Sequence, residues 1–159
     1  MNHPQFQVIL DTLRLFATTT TDLTELQRFC CAEISGQLLN YNWVGFYMLD
    51  SEDPGVLLLG PFSGAPTQHV KIPVSEGICG AAVSRGEAVI VDNVAADPRY
   101  LACSLETQSE IVVPIRARGK IVGEIDVDSH VPAAFDESDR AFLEECARIV
   151  GQFICKYCR

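Results

Sequence analysis

Apolar residues open the chain at helical spacing. Phe6, Ile9, Leu10, Leu13 and Phe16 form one stripe and predict an amphipathic helix from about Pro4. The polar run Thr18-Thr19-Thr20-Thr21 breaks it. Asp22, followed three residues on by Glu25, reads as a capping-box variant that opens a second helix, with Leu23, Leu26, Cys30, Ile34 and Leu38 inward. The period then changes to two. Trp43 to Leu49 predicts a strand with Trp43, Gly45 and Tyr47 on one face and Val44, Phe46 and Met48 on the other.

Asp50 to Gly55 is a turn, Val56 to Leu59 a strand, Gly60 to Gln68 a loop and His69 to Val74 a short strand. Ser75 to Gly80 leads into a short helix, Ala81 to Arg85, stopped by Gly86. Ala88 to Val91 is another strand. Asp92 to Gln108 is a polar connection of a length more often functional than structural. A hairpin from Glu110 to Asp128 follows, and Asp136 opens a last helix with Phe142, Leu143, Cys146, Ile149, Val150 and Phe153 inward. This order implies an α+β fold, a central antiparallel sheet with the N- and C-terminal helices packed on one face. At 159 residues, one domain (1–159) is expected.

The hairpin register decides where its acids point. A two-residue turn at Arg118-Gly119 would set Asp126 opposite Ile111, on the apolar face. A three-residue loop, Ala117-Arg118-Gly119, with Gly119 left-handed, pairs Arg116 with Lys120 and Glu110 with Asp126. The second choice places Ile111, Val113, Ile115, Ile121, Gly123, Ile125 and Val127 on one face and Glu110, Glu124, Asp126 and Asp128 on the other. Glu124 reads as a solvated strand residue. Glu110, Asp126 and Asp128 are different, because Cys103 lies in the polar loop just before Glu110. A thiol and several carboxylates gathered by one hairpin suggest an active site in which one covered carboxyl holds its proton near neutrality.

Composition narrows the options. The apolar share of 48% and charged share of 21% are those of a folded globular chain. A net charge of −9 argues against nucleic acid or an anionic membrane as partner. The amino terminus has no basic stretch and is not expected to act as a signal peptide, and no apolar run approaches membrane-spanning length. Seven cysteines, an odd number, fit a reducing cytoplasm better than a disulfide framework. Cys30 and Cys31 are expected to be helix packing. Cys155-Lys156-Tyr157-Cys158 follows the last helix without a strand-loop-helix context and without further nearby ligands, so neither a redox motif nor a metal site is expected there.

Six segments carry a resemblance: Trp43-Val44-Gly45-Phe46-Tyr47, Leu59-Gly60-Pro61-Phe62, Gly77-Ile78-Cys79-Gly80, Ala102-Cys103, Ser109 to Pro114, and Asp126-Val127-Asp128-Ser129. Together they resemble the free methionine-(R)-sulfoxide reductases, stand-alone enzymes of the GAF fold. The resemblance implies that Cys103 is the nucleophile and that Cys79 forms the regenerating disulfide. It implies that Glu110, Asp126 and Asp128 bind the substrate and polarise its sulfoxide, with Trp43 and Tyr47 forming an aromatic wall around its methyl group. It also implies a homodimer, no resident cofactor, and re-reduction by thioredoxin. One position departs from the pattern: where many members carry a third cysteine, this chain has His69, expected to be a surface or core histidine rather than a catalytic one.

The residue types suit that chemistry. Sulfoxide reduction needs a soft nucleophile at sulfur and a proton for the departing oxygen, which a thiolate and a high-pKa carboxylic acid supply. The resulting sulfenic acid is resolved by a second thiol. Cys79 sits where a short helix begins, and a helix amino terminus is expected to lower its pKa. An acidic cluster also suits the ammonium group of a free amino acid. The alternative is a GAF-type sensor that binds a small ligand without turning it over.

Overall fold

The computed structural model describes residues 3–102 and 104–158, so the expected nucleophile Cys103 lies outside the described residues. Helix α1 (Pro4–Ala17) carries its proline in the first turn, where no N–H is missed. Helix α2 (Leu23–Gln37) is capped by Asp22, whose carboxylate accepts the Glu25 N–H at 3.2 Å. Strands β1 (Trp43–Leu49), β2 (Val56–Ser63) and β3 (Lys71–Pro73) follow. Next come helix α3 (Gly77–Arg85), strand β4 (Val89–Val91) and a 3₁₀ turn at Val94–Ala96. The hairpin β5 (Ser109–Ala117) and β6 (Lys120–Ser129) leads to α4 (Glu137–Tyr157), which opens with a reciprocal capping box of Asp136 and Asp139.

Two elements are longer than the sequence pattern suggests. Strand β2 continues to Ser63 because β1 gives it partners that far, Val44 with Ser63 and Gly45 with Phe62. Helix α3 begins at Gly77, which places Cys79 in its first turn.

Among the described residues the strands form one antiparallel sheet in the order β3-β2-β1-β6-β5-β4. On one side Val44, Phe46, Ile111, Val113, Ile115, Ile125 and Val127 meet the apolar faces of α1, α2 and α4. Cys30, Cys31 and Cys146 are buried in that core, as expected of small fillers. On the other side α3 and the connection after β4 cover a smaller cluster that includes Trp43, Tyr47, Ile72, Ile78, Cys79 and Val112.

The hairpin corrects the expected register. The turn is two residues, with both Arg118 (φ 54°) and Gly119 (φ 74°) left-handed, the geometry that matches the twist of its strands. Arg116 pairs with Ile121, Ile115 with Gly123, and Glu110 with Asp128 rather than with Asp126. Val122 is the extra residue of a bulge. It packs on the helix side, and Ile121 turns toward Gly86 of the α3 side, not to the core face expected of it. A bulge shifts pairing by one, so the short turn and the bulge together restore the alternation that keeps Ile125 and Val127 inside. Arg118 also donates to the Cys155 and Cys158 carbonyls at 2.9 and 2.5 Å, tying the hairpin tip to the end of α4. No described helix is long and apolar enough to cross a membrane.

Candidate active site

The alternation along β6 sends Glu124, Asp126 and Asp128 to the face opposite the main core. Strand β1 lies beside them in register, with Tyr47 opposite Glu124, Gly45 opposite Asp126 and Trp43 opposite Asp128. On the other flank β5 sets Glu110 opposite Asp128 and Val112 opposite Asp126. Helix α3 packs across β5 and β6 and lowers Cys79 onto this row, with its Sγ 3.5 Å from Asp126 Oδ2. Glu110 hydrogen-bonds Asp126 from the other side. The structure therefore brings together five groups, Cys79, Glu110, Glu124, Asp126 and Asp128.

All of them are buried. Relative exposure is 5% for Glu110, 0% for Glu124, and 3% each for Asp126 and Asp128. Burial without full pairing makes ionisation costly. Loss of solvation raises the Glu124 carboxyl well above its ordinary range, an effect the charge of Asp126 reinforces and a contact with the Cys79 thiol partly offsets. Desolvation likewise raises Asp126, against the lowering effect of its hydrogen bonds with Glu110 and Cys79. Asp128 is raised by desolvation first and by the charge of Asp126 second.

Cys79 departs from expectation. Its thiol is pushed well above its ordinary pKa, by burial first and then by the charges of Asp126, Glu124 and Glu110. The favourable end of a short helix cannot offset a fully desolvated site facing acids. The resting thiol is neutral.

The aromatic residues stand beside the acids. Tyr47 lines the small cavity between Cys79, Glu110 and Asp126, together with Ile72, Ile78 and Leu101. Its hydroxyl donates to the His69 carbonyl at 2.8 Å. Trp43 is set further back, its ring near Tyr47 and stacked on Phe62 with centroids 5.4 Å apart, its indole N–H donating to Ala65 O at 3.0 Å. That ring occupies the space over Gly45, where an added Cβ would lie 2.3 Å from its Cη2. His69 is partly buried, and its Nε2 donates to the carbonyl of Ala102 at 3.0 Å, the residue before Cys103. The cavity itself measures about 10 Å³, room for roughly one water, and Leu101 is among the residues that line it.

Glu124 is the residue the sequence pattern hid. Its parity with Asp126 and Asp128 was a usable signal, but a strand pattern does not say which of its polar faces another helix will cover. Leu101 gave no signal, since its role depends on how the long connection folds back.

Residues 20–154 match the GAF domain family. The chain belongs to that family, as the curled sheet with helices on both faces leads one to expect. It is 41% identical over 151 residues to Protein YtsP of Bacillus subtilis, covering 95% of this chain and 91% of that one. It is 35% identical over 147 residues to the free methionine-R-sulfoxide reductase of Escherichia coli, covering 91% and 86%. The solved structure of the free methionine-R-sulfoxide reductase of Neisseria meningitidis in complex with its substrate superposes with a TM-score of 0.90 at 33% identity, over 97% of this chain and 90% of that one. Within the GAF proteins, the chain belongs to the free methionine-R-sulfoxide reductase family.

Proposed function

We propose that this chain reduces free L-methionine-(R)-sulfoxide to methionine, with Cys103 as nucleophile and the buried acids as binding and proton-donating groups. The observation that carries the reading is the acidic pocket itself: a thiol 3.5 Å from Asp126, beside further buried carboxyls and Tyr47. Family membership supplies the reaction.

In this reading the substrate ammonium displaces protons from the acid cluster and pairs with carboxylates of Glu110, Asp126 and Asp128. A peptide-bound methionine has no such ammonium, so the free amino acid is selected. Trp43 and Tyr47 wall the methyl group. The Cys103 thiolate attacks the sulfoxide sulfur while a protonated carboxyl gives its proton to the oxygen. Methionine leaves, and the oxygen ends on Cys103 as a sulfenic acid. Cys79 then attacks that sulfur, its proton passes by way of Asp126 to the sulfenic hydroxyl, and the disulfide forms as that hydroxyl leaves as water. Thioredoxin returns the pair to thiols, so the cycle needs an external reductant and no resident cofactor. A homodimer is the expected assembly. Substrate entry requires the lining of the cavity to open, since it holds no more than about a water.

A sensor shares the fold but has no use for a neutral thiol held against proton-bearing acids. Cys103→Ser should abolish turnover with thioredoxin or dithiothreitol. Cys79→Ser should spare the first turnover and slow thioredoxin-driven recycling. Turnover that survives the loss of Cys103 refutes the assigned nucleophile, and an unchanged steady state in Cys79→Ser refutes the resolving role.

A further inference from the structure

We propose that Cys79, Glu110 and Asp126 also form a site for a borderline-soft divalent cation of the zinc type, which enters the acidic pocket in place of an organic substrate. The metal site rests on the donor set alone, and only its competition with substrate rests on the proposed function. One ligand atom from each of the three residues lies within 4.8 Å of the others, with the Cys79 Sγ 3.5 Å from Asp126 Oδ2. A tetrahedral zinc ion with bonds of about 2.0 to 2.3 Å needs its donors roughly 3.3 to 3.7 Å apart. Side-chain rotation of the two carboxylates is the movement the site would need to bring its donors to that spacing.

Unused donors lie on the same strand, β6, and one of them, Asp126 Oδ1, belongs to a residue that lines the cavity. Among the described residues, Asp126 Oδ1, Asp128 Oδ1 and both carboxyl oxygens of Glu124 are buried with no partner within hydrogen-bond distance. Glu124, fully buried beside the Cys79 thiol, lies outside that group of three and would have to swing toward it to serve as a fourth ligand. Unpartnered buried carboxyls are costly, and a dication satisfies them.

The donor chemistry selects the metal. A thiolate with two or three carboxylates suits zinc or cobalt, whereas magnesium and calcium require six or more oxygen donors, which a cavity of about 10 Å³ beside a thiol does not offer. The donors sit on α3, β5 and β6, regular elements that hold their spacing. When the ion binds, the Cys79 thiol gives its proton to solvent and its sulfur bonds the metal; nothing is oxidised or reduced. The ion then blocks both the resolving thiol and the acids that would meet an ammonium group.

The test uses cobalt(II) added anaerobically to the reduced full chain carrying Cys155→Ser and Cys158→Ser, so that the terminal pair does not compete. One equivalent per chain should give a thiolate-to-cobalt charge-transfer band, and free methionine, which carries the same ammonium group but leaves the thiols reduced, should displace it. The band should vanish in Cys79→Ser. In Asp126→Asn the affinity should fall at least about tenfold with the band shape kept, a readout that holds even if Cys79→Ser does not fold. Zinc should inhibit turnover and a chelator should restore it. A band that survives Cys79→Ser, or no band at millimolar cobalt, overturns the site. Full turnover with the band present overturns its competition with substrate. A band in a chain that reduces no sulfoxide supports the metal site and counts against the reductase reading alone.

Discussion

Replacing Glu124 by Gln isolates the cost of burying these acids. Neither Glu124 oxygen has a partner within normal hydrogen-bond distance, and burial raises the carboxyl well above its ordinary range, which the nearby Cys79 thiol offsets only in part. The folded chain therefore holds a proton that the unfolded chain releases above about pH 4.3. Stability is fully present below that value and falls as pH rises toward the folded pKa, by up to about 1.4 kcal/mol per pH unit for one such group. Across two pH units inside that window the wild type loses up to about 2.7 kcal/mol through Glu124, and the isosteric amide loses none of it. The groups facing Glu124 are Cys79 from α3, Asp126 on its own strand and Tyr47 across from it on β1. Asp126 and Asp128, raised in the same direction, give a pH-dependence common to both proteins. Urea unfolding between pH 5 and 8, in chelator and followed by the fluorescence of Trp43, the chain's one tryptophan, measures the difference. Near pH 5 the two proteins should lie within about 1 kcal/mol, since each then buries a neutral unpartnered group. The variant should gain on the wild type steadily with pH. A difference that stays constant across the range refutes the buried, proton-holding Glu124.

Three further outcomes are expected. Arg118→Ala removes the donor to the Cys155 and Cys158 carbonyls and should cost about 1 kcal/mol in urea unfolding with turnover unchanged, because the hairpin tip is the end remote from Glu110 and Asp128. Deleting Val122 keeps the turn but reverses the alternation of β6, turning Glu124, Asp126 and Asp128 toward the main core; the product should show no cooperative unfolding, and a folded, active deletion would refute the bulge. Gly45→Ala drives a methyl into the Trp43 ring, 2.3 Å away, and should shift its fluorescence and lower kcat/KM by about tenfold or more, whereas unchanged values would remove Trp43 from the site.

Much of the fold was legible because burial on one side writes alternation into a strand and a 3.6-residue stripe into a helix. Trp43 to Leu49 and the helix starts after Asp22 and Asp136 lie where the pattern put them, although Glu25 accepts from the Thr20 hydroxyl instead of closing a capping box on Asp22. The face of the acids was legible for the same reason. Their pairing was not: the short turn and the Val122 bulge change the partner of Glu110 from Asp126 to Asp128 while keeping parity, and hydrophobic alternation is blind to a shift of two. Burial of Glu124 and the raised pKa of Cys79 depend on α3 lying across β5 and β6. That is a tertiary fact, and it reversed the local expectation drawn from a helix amino terminus.

The proposed function requires that the acidic pocket take the free amino acid sulfoxide, with preference for the (R) epimer following from the family. Incubating the protein with racemic free methionine sulfoxide and dithiothreitol, with a blocked peptide sulfoxide in parallel, and following each epimer by chromatography, tests it directly. Half of the free racemate should be consumed, the (R) epimer alone, with the peptide untouched and Cys103→Ser inert. Consumption of both epimers, equal reduction of the peptide, or no consumption at all would contradict it.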